Sequence, residues 1–127
     1  MSGMEMERVL HIGIASRAEM RRRTLDIVSG KYKPTPNDPR VWFTSLESFA
    51  QVLSSDNRLV LEIIRRSKPT SMSELAKLCG REVSNLSRTL HTMAKYGLVS
   101  LTKVANENRI VPEVHYDRVA LEVALAA

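Results

Sequence analysis

Two closely spaced helix signals in the second half of the chain restrict the fold more than any other feature. "SMSE" is a capping box, in which the Ser71 hydroxyl can accept from the backbone N–H of Glu74 and the carboxylate can reach back. The short helix that it opens ends at Gly80. A second helix is predicted over about 82–96, and Gly97 stands where a left-handed C-terminal residue belongs. These signals predict two short helices separated by a tight turn.

The second of these helices is predicted to have two different faces. Its apolar residues are spaced by three, four and three positions, which places Val83, Leu86, Leu90 and Met93 on one stripe toward a core. The helix is therefore expected to present its other face to solvent or to a partner. The residues on that face are small, polar or basic: Ser84, Asn85, Ser87, Arg88, His91, Thr92 and Lys95.

The segments on either side complete a characteristic order of elements. Asp56 is expected to cap a preceding helix over 57–67. The apolar stripe of that helix holds Leu59, Val60, Ile63 and Ile64. After Gly97, "LVSLTKV", "ANENR" and "IVPEVHY" are typical of a strand, a turn and a returning strand. Helix, short helix, helix and β-hairpin is the plan of a winged helix-turn-helix. The predicted fold class is α+β, mainly helical, with an N-terminal strand–helix extension.

That extension begins with "VLHIGI", a predicted strand over residues 9–14. "SRAE" is a further capping box and should open a helix over about 17–29 that ends at Gly30. "KYKPTPNDP" holds three prolines and no apolar pattern, so it is the expected domain boundary. "VWFT" is expected to be extended, and Ser45 to cap a short helix over 46–53.

A length of 127 residues suits one modest core. We divide the chain into an N-terminal extension with its linker (1–40), a winged helix-turn-helix (41–118) and a C-terminal tail (119–127). The tail alternates apolar residues as a strand does, although its Ala and Leu content also suits a helix. The extension and the tail are the parts expected to form oligomer contacts.

The positive charge is concentrated around the predicted helices. Residues 57–103 hold nine basic and three acidic residues, a surplus of +6, whereas the remainder carries −1. A polyanionic partner would explain this surplus, and so would an ordinary solvated surface. A run of three arginines on the N-terminal helix, Arg21 to Arg23, is open to the same two interpretations.

The run "ELAKLCGREVSNLSRTLHTMAKYGLVSL" resembles the core of the MarR/ArsR-type transcriptional regulators of bacteria and archaea. The resemblance extends over roughly residues 56–118. Its matching positions are Leu75, Ala76, Gly80, Ser87, Arg88, Leu90, Gly97, Leu98 and Val99. Arg81 departs from the pattern, since an apolar residue often follows the turn glycine, and Val83 is expected to take over its packing role. The flanking segments resemble a group of small regulators that includes antitoxins encoded beside a toxin.

A recognition helix reads base edges in the major groove of B-DNA. On the outward face, Arg88 is suited to guanine and Asn85 to adenine, since each can form a pair of hydrogen bonds. Ser84 and Ser87 can bind phosphate or base, and His91 can flank a phosphate. Each of these polar residues could equally be a solvated surface residue.

Three further residues outside the recognition helix are candidate DNA contacts. Ser71 lies at a helix N-terminus, where backbone N–H groups and the helix dipole favour a phosphate. Lys103 and Arg109 lie on the predicted hairpin, where they would touch the DNA backbone or the minor groove.

The sequence does not predict an enzyme. It contains no catalytic grouping, no phosphate-binding glycine loop and no spacing typical of metal ligands, so neither a cofactor nor a metal is expected. Its single cysteine, Cys79, is expected to be a buried thiol rather than a redox sensor. The lack of a long apolar run, an acidic N-terminus unlike a signal peptide and the single cysteine indicate a cytoplasmic protein.

The favoured function is a sequence-specific transcriptional regulator, a repressor that binds double-stranded DNA as a homodimer. One recognition helix covers few base pairs, so useful specificity calls for two half-sites. An antitoxin that neutralises a toxin protein and regulates its own operon is the alternative. A winged helix used only for protein contacts is a third, which the basic surplus argues against.

Overall fold

The computed structural model describes residues 7–125 and has an α+β fold, as predicted. It divides the chain into two compact units. The first, here called the sheet unit, takes in the described residues up to Ala50 and from Tyr116 onward. The second, the helical unit, spans Gln51–His115. The elements of the two units are, in chain order, β1 (Val9–Ile14), α1 (Arg17–Val28), β2 (Val41–Phe43), α2 (Leu46–Val52), α3 (Ser55–Ser67), α4 (Met72–Cys79), α5 (Val83–Lys95), β3 (Ser100–Lys103), β4 (Ile110–Glu113) and β5 (Arg118–Val123).

The sheet unit is built on three parallel strands in the order β2-β1-β5. Strand β1 pairs with β2 over Ile12–Ile14 and with β5 along its whole length, from Val9 opposite Arg118 to Ile14 opposite Val123. Parallel neighbours need a crossover connection, and α1 with the loop that follows it supplies the one between β1 and β2.

Helix α1 is fixed at both ends by local signals that the sequence predicted. The Ser16 hydroxyl accepts from the backbone N–H of Glu19 at 3.1 Å, and the Glu19 carboxylate accepts from the backbone N–H of Ser16 at 2.7 Å. Hydrogen bonds to the Glu19 carboxylate from the backbone N–H of Ser16, and after it from the Ser16 side chain, lower the pKa of Glu19. Gly30, with φ +83°, follows the helix in the left-handed region.

The two faces of the sheet differ in chemistry. Leu10, Ile12 and Phe43 lie on an aliphatic face and are buried, and the ring of Phe49 meets Phe43 edge-on at 5.5 Å between centroids. On the opposite face the Trp42 ring covers Gly13, so closely that a β-carbon there would lie 2.3 Å from the ring. Glycine is therefore required at this position by space.

Polar contacts hold α1 in place above Trp42. The Arg23 guanidinium lies 5.1 Å from the Trp42 ring centroid and 5.5 Å from that of Tyr32, and it pairs with Asp38 at 2.8 Å. Thr35 and Tyr32 also donate to Asp38. Arg23 is thus a structural residue, which neither interpretation of the arginine run anticipated, whereas Arg21 and Arg22 are exposed.

The helical unit packs α3, α4 and α5 around one core beside the antiparallel pair β3–β4. Its buried apolar residues come from every element or from the segments beside them. They are Val60, Ile64, Pro69, Leu75, Ala76, Leu86, Leu90, Met93, Leu98, Val99 and Pro112.

Two details of α3 differ from prediction. Ser54, rather than Asp56, caps the helix, since its hydroxyl accepts from the backbone N–H of Asn57. Leu59, expected on the buried stripe, is 55% exposed. The buried stripe is narrower and consists of Val60 and Ile64.

The domain boundaries also need correction. The boundary predicted after residue 40 is wrong, because β2 at Val41–Phe43 pairs with β1 inside the sheet unit. The proline-rich loop is an internal connection of that unit. Of the tail predicted over 119–127, residues 119–123 belong to a strand, β5, which begins one residue earlier, and residues 126–127 lie outside the described residues. Two units replace the single core that the length suggested. Among the described helices, none is long and apolar enough to cross a membrane.

Candidate nucleic-acid interface

Helix α5 has the two faces that the sequence predicted. Leu86, Leu90 and Met93 are fully buried. The opposite side of the helix carries a stripe of residues spaced by four, three and four positions, and all are exposed: Ser84, Arg88, His91 and Lys95. No acidic residue lies within the helix, so the fixed charges on this stripe, those of Arg88 and Lys95, are both positive.

The side chains of the outward stripe differ in whether they form hydrogen bonds within the protein. Those of Ser84, Arg88 and Lys95 have no hydrogen-bond or ion-pair partner within residues 7–125. His91 is held, since its Nδ1 lies 2.8 Å from the Ser87 carbonyl oxygen and 3.4 Å from the Ser87 hydroxyl. Arg88 and Lys95 are therefore the cations of this face that are available to a partner.

Arg81, just ahead of α5, orients one of the predicted contact residues. Its Nε and Nη2 atoms donate to the side-chain oxygen of Asn85 at 3.2 and 2.7 Å, and Nη2 also donates to the Thr89 hydroxyl at 3.2 Å. Both donors of Arg81 are directed at the single side-chain acceptor atom of Asn85. The amide nitrogen of Asn85 is left to donate to a partner.

The prediction that Val83 takes over the packing role of the position after Gly80 is wrong, because Val83 is 44% exposed. It occupies the first turn of α5, where Glu82 provides no side-chain cap. Arg81 is half-buried instead, and its Nη1 atom is inaccessible to solvent without a hydrogen-bond partner within the described part of the chain. The position after the turn glycine thus remains a packing position even though it holds a cation.

The N-terminus of α4 is capped, but by a variant of the predicted box. The Ser71 hydroxyl accepts from the backbone N–H of Glu74 at 3.1 Å, as predicted. The Glu74 carboxylate accepts from the backbone N–H and the hydroxyl of Thr70 rather than from Ser71. A phosphate approaching Ser71 would meet this carboxylate, which weakens the case for an anion site there.

The two hairpin cations also differ. Arg109 donates to the Thr70 carbonyl oxygen at 2.8 Å and pairs with Glu107 at 2.7 Å, so it ties the hairpin to the segment before α4. Lys103 is exposed, and its side chain has no partner among residues 7–125. The turn between the strands is closed by Asn106, whose φ is +65°. Of the two cations, Lys103 is the one available to a ligand.

Comparison with protein families gives a match to the HVO_A0114 family over residues 52–121, more than half of the chain. The chain belongs to the HVO_A0114 family. The matched region contains α3, α4, α5 and the β3–β4 hairpin, and it ends inside β5. Comparison with curated proteins and with solved structures gives no match. The resemblance to MarR/ArsR regulators therefore stays a prediction.

Within the HVO_A0114 region, a shallow groove between α4 and α5 brings together residues that were not predicted as contacts. Lys77 and Arg81 line it with Ser73 and Gly80. Gly80 has φ +68°, and this left-handed turn places the two helices on either side of the groove. The sequence marked Arg81 as a departure from the family pattern, but nothing in the helix periodicity marked Lys77.

The prediction that the cysteine is a buried thiol is partly wrong. Cys79, at the end of α4, is half-buried rather than buried. Desolvation nevertheless raises the pKa of its thiol, and the nearby Arg81 charge opposes the rise. A raised pKa disfavours the thiolate, which is the reactive form, so this environment does not activate the cysteine.

Proposed function

We propose that this protein is a sequence-specific regulator of transcription that binds double-stranded DNA as a dimeric repressor. In this proposal the helical unit is a winged helix-turn-helix, α5 is the recognition helix in the major groove, and the β3–β4 hairpin is a wing along the DNA backbone or the minor groove.

One observation carries the proposal: α5 buries three apolar residues on one side and presents an electropositive stripe on the other. A helix packed in this way has only its outer face to offer a partner. Short polar side chains such as Ser84 permit close approach to a groove, while the unpaired guanidinium of Arg88 can bind guanine through two hydrogen bonds.

The contact between Arg81 and Asn85 refines which bases can be read. Adenine recognition requires asparagine both to donate and to accept, whereas Arg81 occupies the acceptor of Asn85. We therefore expect Asn85 to donate to an acceptor such as O6 or N7 of guanine, O4 of thymine or a phosphate. The adenine contact expected from the sequence would require the Arg81 contact to break.

Selection of bound duplexes from a random pool, using the full-length protein, tests the proposal directly. We expect an enriched two-fold site with guanine at the position that faces Arg88. Recovery of no sequence above background at low salt would contradict the proposal.

Substitution of Arg88 then tests the assignment of the face. Arg88→Ala should cost about 1–3 kcal/mol on the selected site and relax the preference for guanine there. Arg88→Lys keeps the charge but not the paired hydrogen bonds, so it should lose specificity more than affinity. Arg66→Ala is the matched control, because Arg66 lies on α3 and pairs with Glu62. Titrations at fixed salt that give equal losses for Arg88→Ala and Arg66→Ala would refute the assignment.

The hairpin makes a separate and weaker contribution in this proposal. Lys103→Ala should weaken binding to all sequences alike and reduce the slope of log affinity against log salt by about one. Glu113→Gln, on the neighbouring strand, should leave that slope unchanged because no cation is removed.

A further inference from the structure

The outer edge of β5 is an unpaired strand edge of the sheet unit within residues 7–125. In the strand order β2-β1-β5, strand β5 pairs with β1 on one side, and no strand among the described residues pairs with the other side. All six residues of β5 are exposed or half-buried, with Leu121 and Val123 at 41% and 43%. A six-residue edge of this kind is a template for pairing with another strand.

The register with β1 assigns each residue of β5 to a face. Leu121 lies beside Ile12 and Val123 beside Ile14, so these side chains extend the aliphatic face of the sheet. Arg118, Ala120 and Glu122 alternate with them and lie on the face of Gly13 and Trp42. The edge is therefore aliphatic on one face and charged at two positions on the other.

We propose that two copies of this chain pair through β5 as antiparallel strands about a two-fold axis at Ala120. This arrangement places Arg118 opposite Glu122 of the second copy, and Val119 opposite Leu121 of the second copy, each twice. It rests on the proposed function in one respect, since it supplies the dimer that a two-fold DNA site requires.

Charge and pattern select this register over its neighbours. A shift of the axis by half a residue would pair the aliphatic face of one copy with the charged face of the other. A shift by one whole residue keeps the faces but removes the pairing of opposite charges, and toward Val119 it sets Asp117 against Leu121. Only the axis at Ala120 gives two opposite-charge pairs, with the small Ala120 side chain next to its own copy.

Existing contacts leave this edge able to pair. Glu7 forms an ion pair with Arg118, whose side chain remains 61% exposed, and Asp117 accepts from the backbone N–H of Arg8 at 2.7 Å. These contacts anchor the start of β5 to the segment before β1. The exposed side chain of Glu122 forms no hydrogen bond or ion pair within residues 7–125, although its charge lies close enough to Tyr32 to help raise the pKa of that hydroxyl. The carboxylate is therefore available to a partner. Antiparallel pairing would create a six-stranded sheet and cover part of Leu121 and Val123.

Charge reversal in the full-length protein tests the pairing. Glu122→Arg places two arginines opposite each other at both ends of the interface, so the dissociation constant of the dimer, measured by sedimentation, should rise about tenfold or more. Glu113→Arg is the matched control, since it makes the same charge change at an exposed residue of β4, outside the proposed interface, and should leave the dimer unchanged. Adding Arg118→Glu to Glu122→Arg restores opposite charges and should restore the dimer.

Mixing supplies a second test that does not depend on one variant. Arg118→Glu alone carries two acidic residues along this edge, and Glu122→Arg alone carries two basic ones. Each should dimerise poorly by itself, whereas an equimolar mixture should form heterodimers. Circular dichroism of each variant confirms that it is folded.

Three results would overturn the proposal: a monomeric parent protein at high concentration, a dimer that Glu122→Arg leaves intact, or single variants that do not associate when mixed. None of these measurements uses DNA. A monomer that still binds a selected half-site would refute the β5 dimer and retain the DNA-binding proposal, and a β5 dimer without DNA affinity would do the reverse.

Discussion

Helices α1 and α5 have nearly the same length but are attached to their surroundings in opposite ways. Helix α5 buries Leu86, Leu90 and Met93 and has no side-chain cap at its N-terminus. Helix α1 has no buried residue, exposes Leu25 and Val28 at 62% and 80%, and depends on a capping box and on Arg23.

The difference shows which helix can offer a partner a fixed surface. Packing fixes the orientation of α5, so that its outward side chains keep a defined direction. Helix α1 is attached at a few polar points, mainly the Ser16–Glu19 box and the half-buried Arg23–Asp38 pair, and it buries no residue that would fix the rest of the helix. A rigid element is the better support for recognition of a ligand.

The largest effect is expected from removing a buried side chain of α5. Leu90→Ala should lower the free energy of unfolding of the helical unit by about 2–5 kcal/mol, because it leaves a cavity in a packed core. Leu25→Ala on α1 is the matched control and should lower the free energy of unfolding of the sheet unit, to which α1 belongs, by less than about 0.5 kcal/mol. Denaturant titration followed by far-UV circular dichroism measures both, and equal losses would remove the contrast between the helices.

A smaller effect is expected where α1 meets the sheet. Gly13→Ala forces the Trp42 ring to move and disturbs the stacking of Arg23, so it should destabilise the sheet unit by about 1–3 kcal/mol. Trp42 is the single tryptophan, so its fluorescence reports this unit.

The control for Gly13→Ala uses a chain that lacks the Trp42 ring. In a Trp42→Ala background, Gly13→Ala should cost almost nothing by circular dichroism, because the added methyl group has space. A full loss in both backgrounds would show that the glycine is needed for another reason.

Substitutions at the N-caps of α1 and α5 test the comparison between these two helices. Ser16→Ala removes the capping hydroxyl of α1 and should cost about 1 kcal/mol by Trp42 fluorescence. Glu82→Ser adds a capping hydroxyl to α5 and should gain about 0.5–1 kcal/mol in the helical unit. If both changes are neutral, neither helix depends on its first turn.

The last expected effect is a dependence of the stability of the sheet unit on pH, and it involves Asp38, which pairs with Arg23. The Tyr32 hydroxyl, and after it Thr35, hold the pKa of Asp38 below its ordinary value. A lowered pKa in the folded state gives stability that is fully present above the ordinary aspartate value and is lost as the pH falls through the folded value. Below about pH 4 the sheet unit should therefore lose stability, and Asp38→Asn should flatten this dependence in acid titrations of Trp42 fluorescence. An unchanged acid profile would exclude Asp38 as the cause.

Local signals could be read from the sequence because they depend on neighbouring residues. The Ser16–Glu19 box, the helix ends at Gly30 and Gly80 and the left-handed Gly97 are confirmed. Of the predicted apolar stripe of α5, Leu86, Leu90 and Met93 are confirmed as buried, and Val83 is not. Each follows from spacing within one or two helical turns. The residues predicted on the outward face of α5 are exposed, apart from the half-buried Ser87, whereas the binding of this face to DNA stays a prediction.

Features that depend on distant residues could not be read in the same way. The pairing of β1 with β5 joins segments more than a hundred residues apart, and alternation in the tail suited either a strand or a helix. The prolines of residues 31–39 indicated a boundary, although they lie in a loop inside the β1–α1–β2 connection. The contact from Arg81 to Asn85 was missed because periodicity assigns faces but not the direction in which a long side chain turns.

The parallel pairing of β1 with β5 has a consequence for how the protein is made. The helical unit is continuous in the chain, so it can fold as soon as its own residues have left the ribosome. The sheet unit must wait, because 109 residues separate Arg8 from Asp117 and β1 has no β5 to pair with until then. Non-local pairing of this kind is slow. Chains truncated by a premature stop codon before residue 118 would keep the helical unit and lack a strand of the sheet.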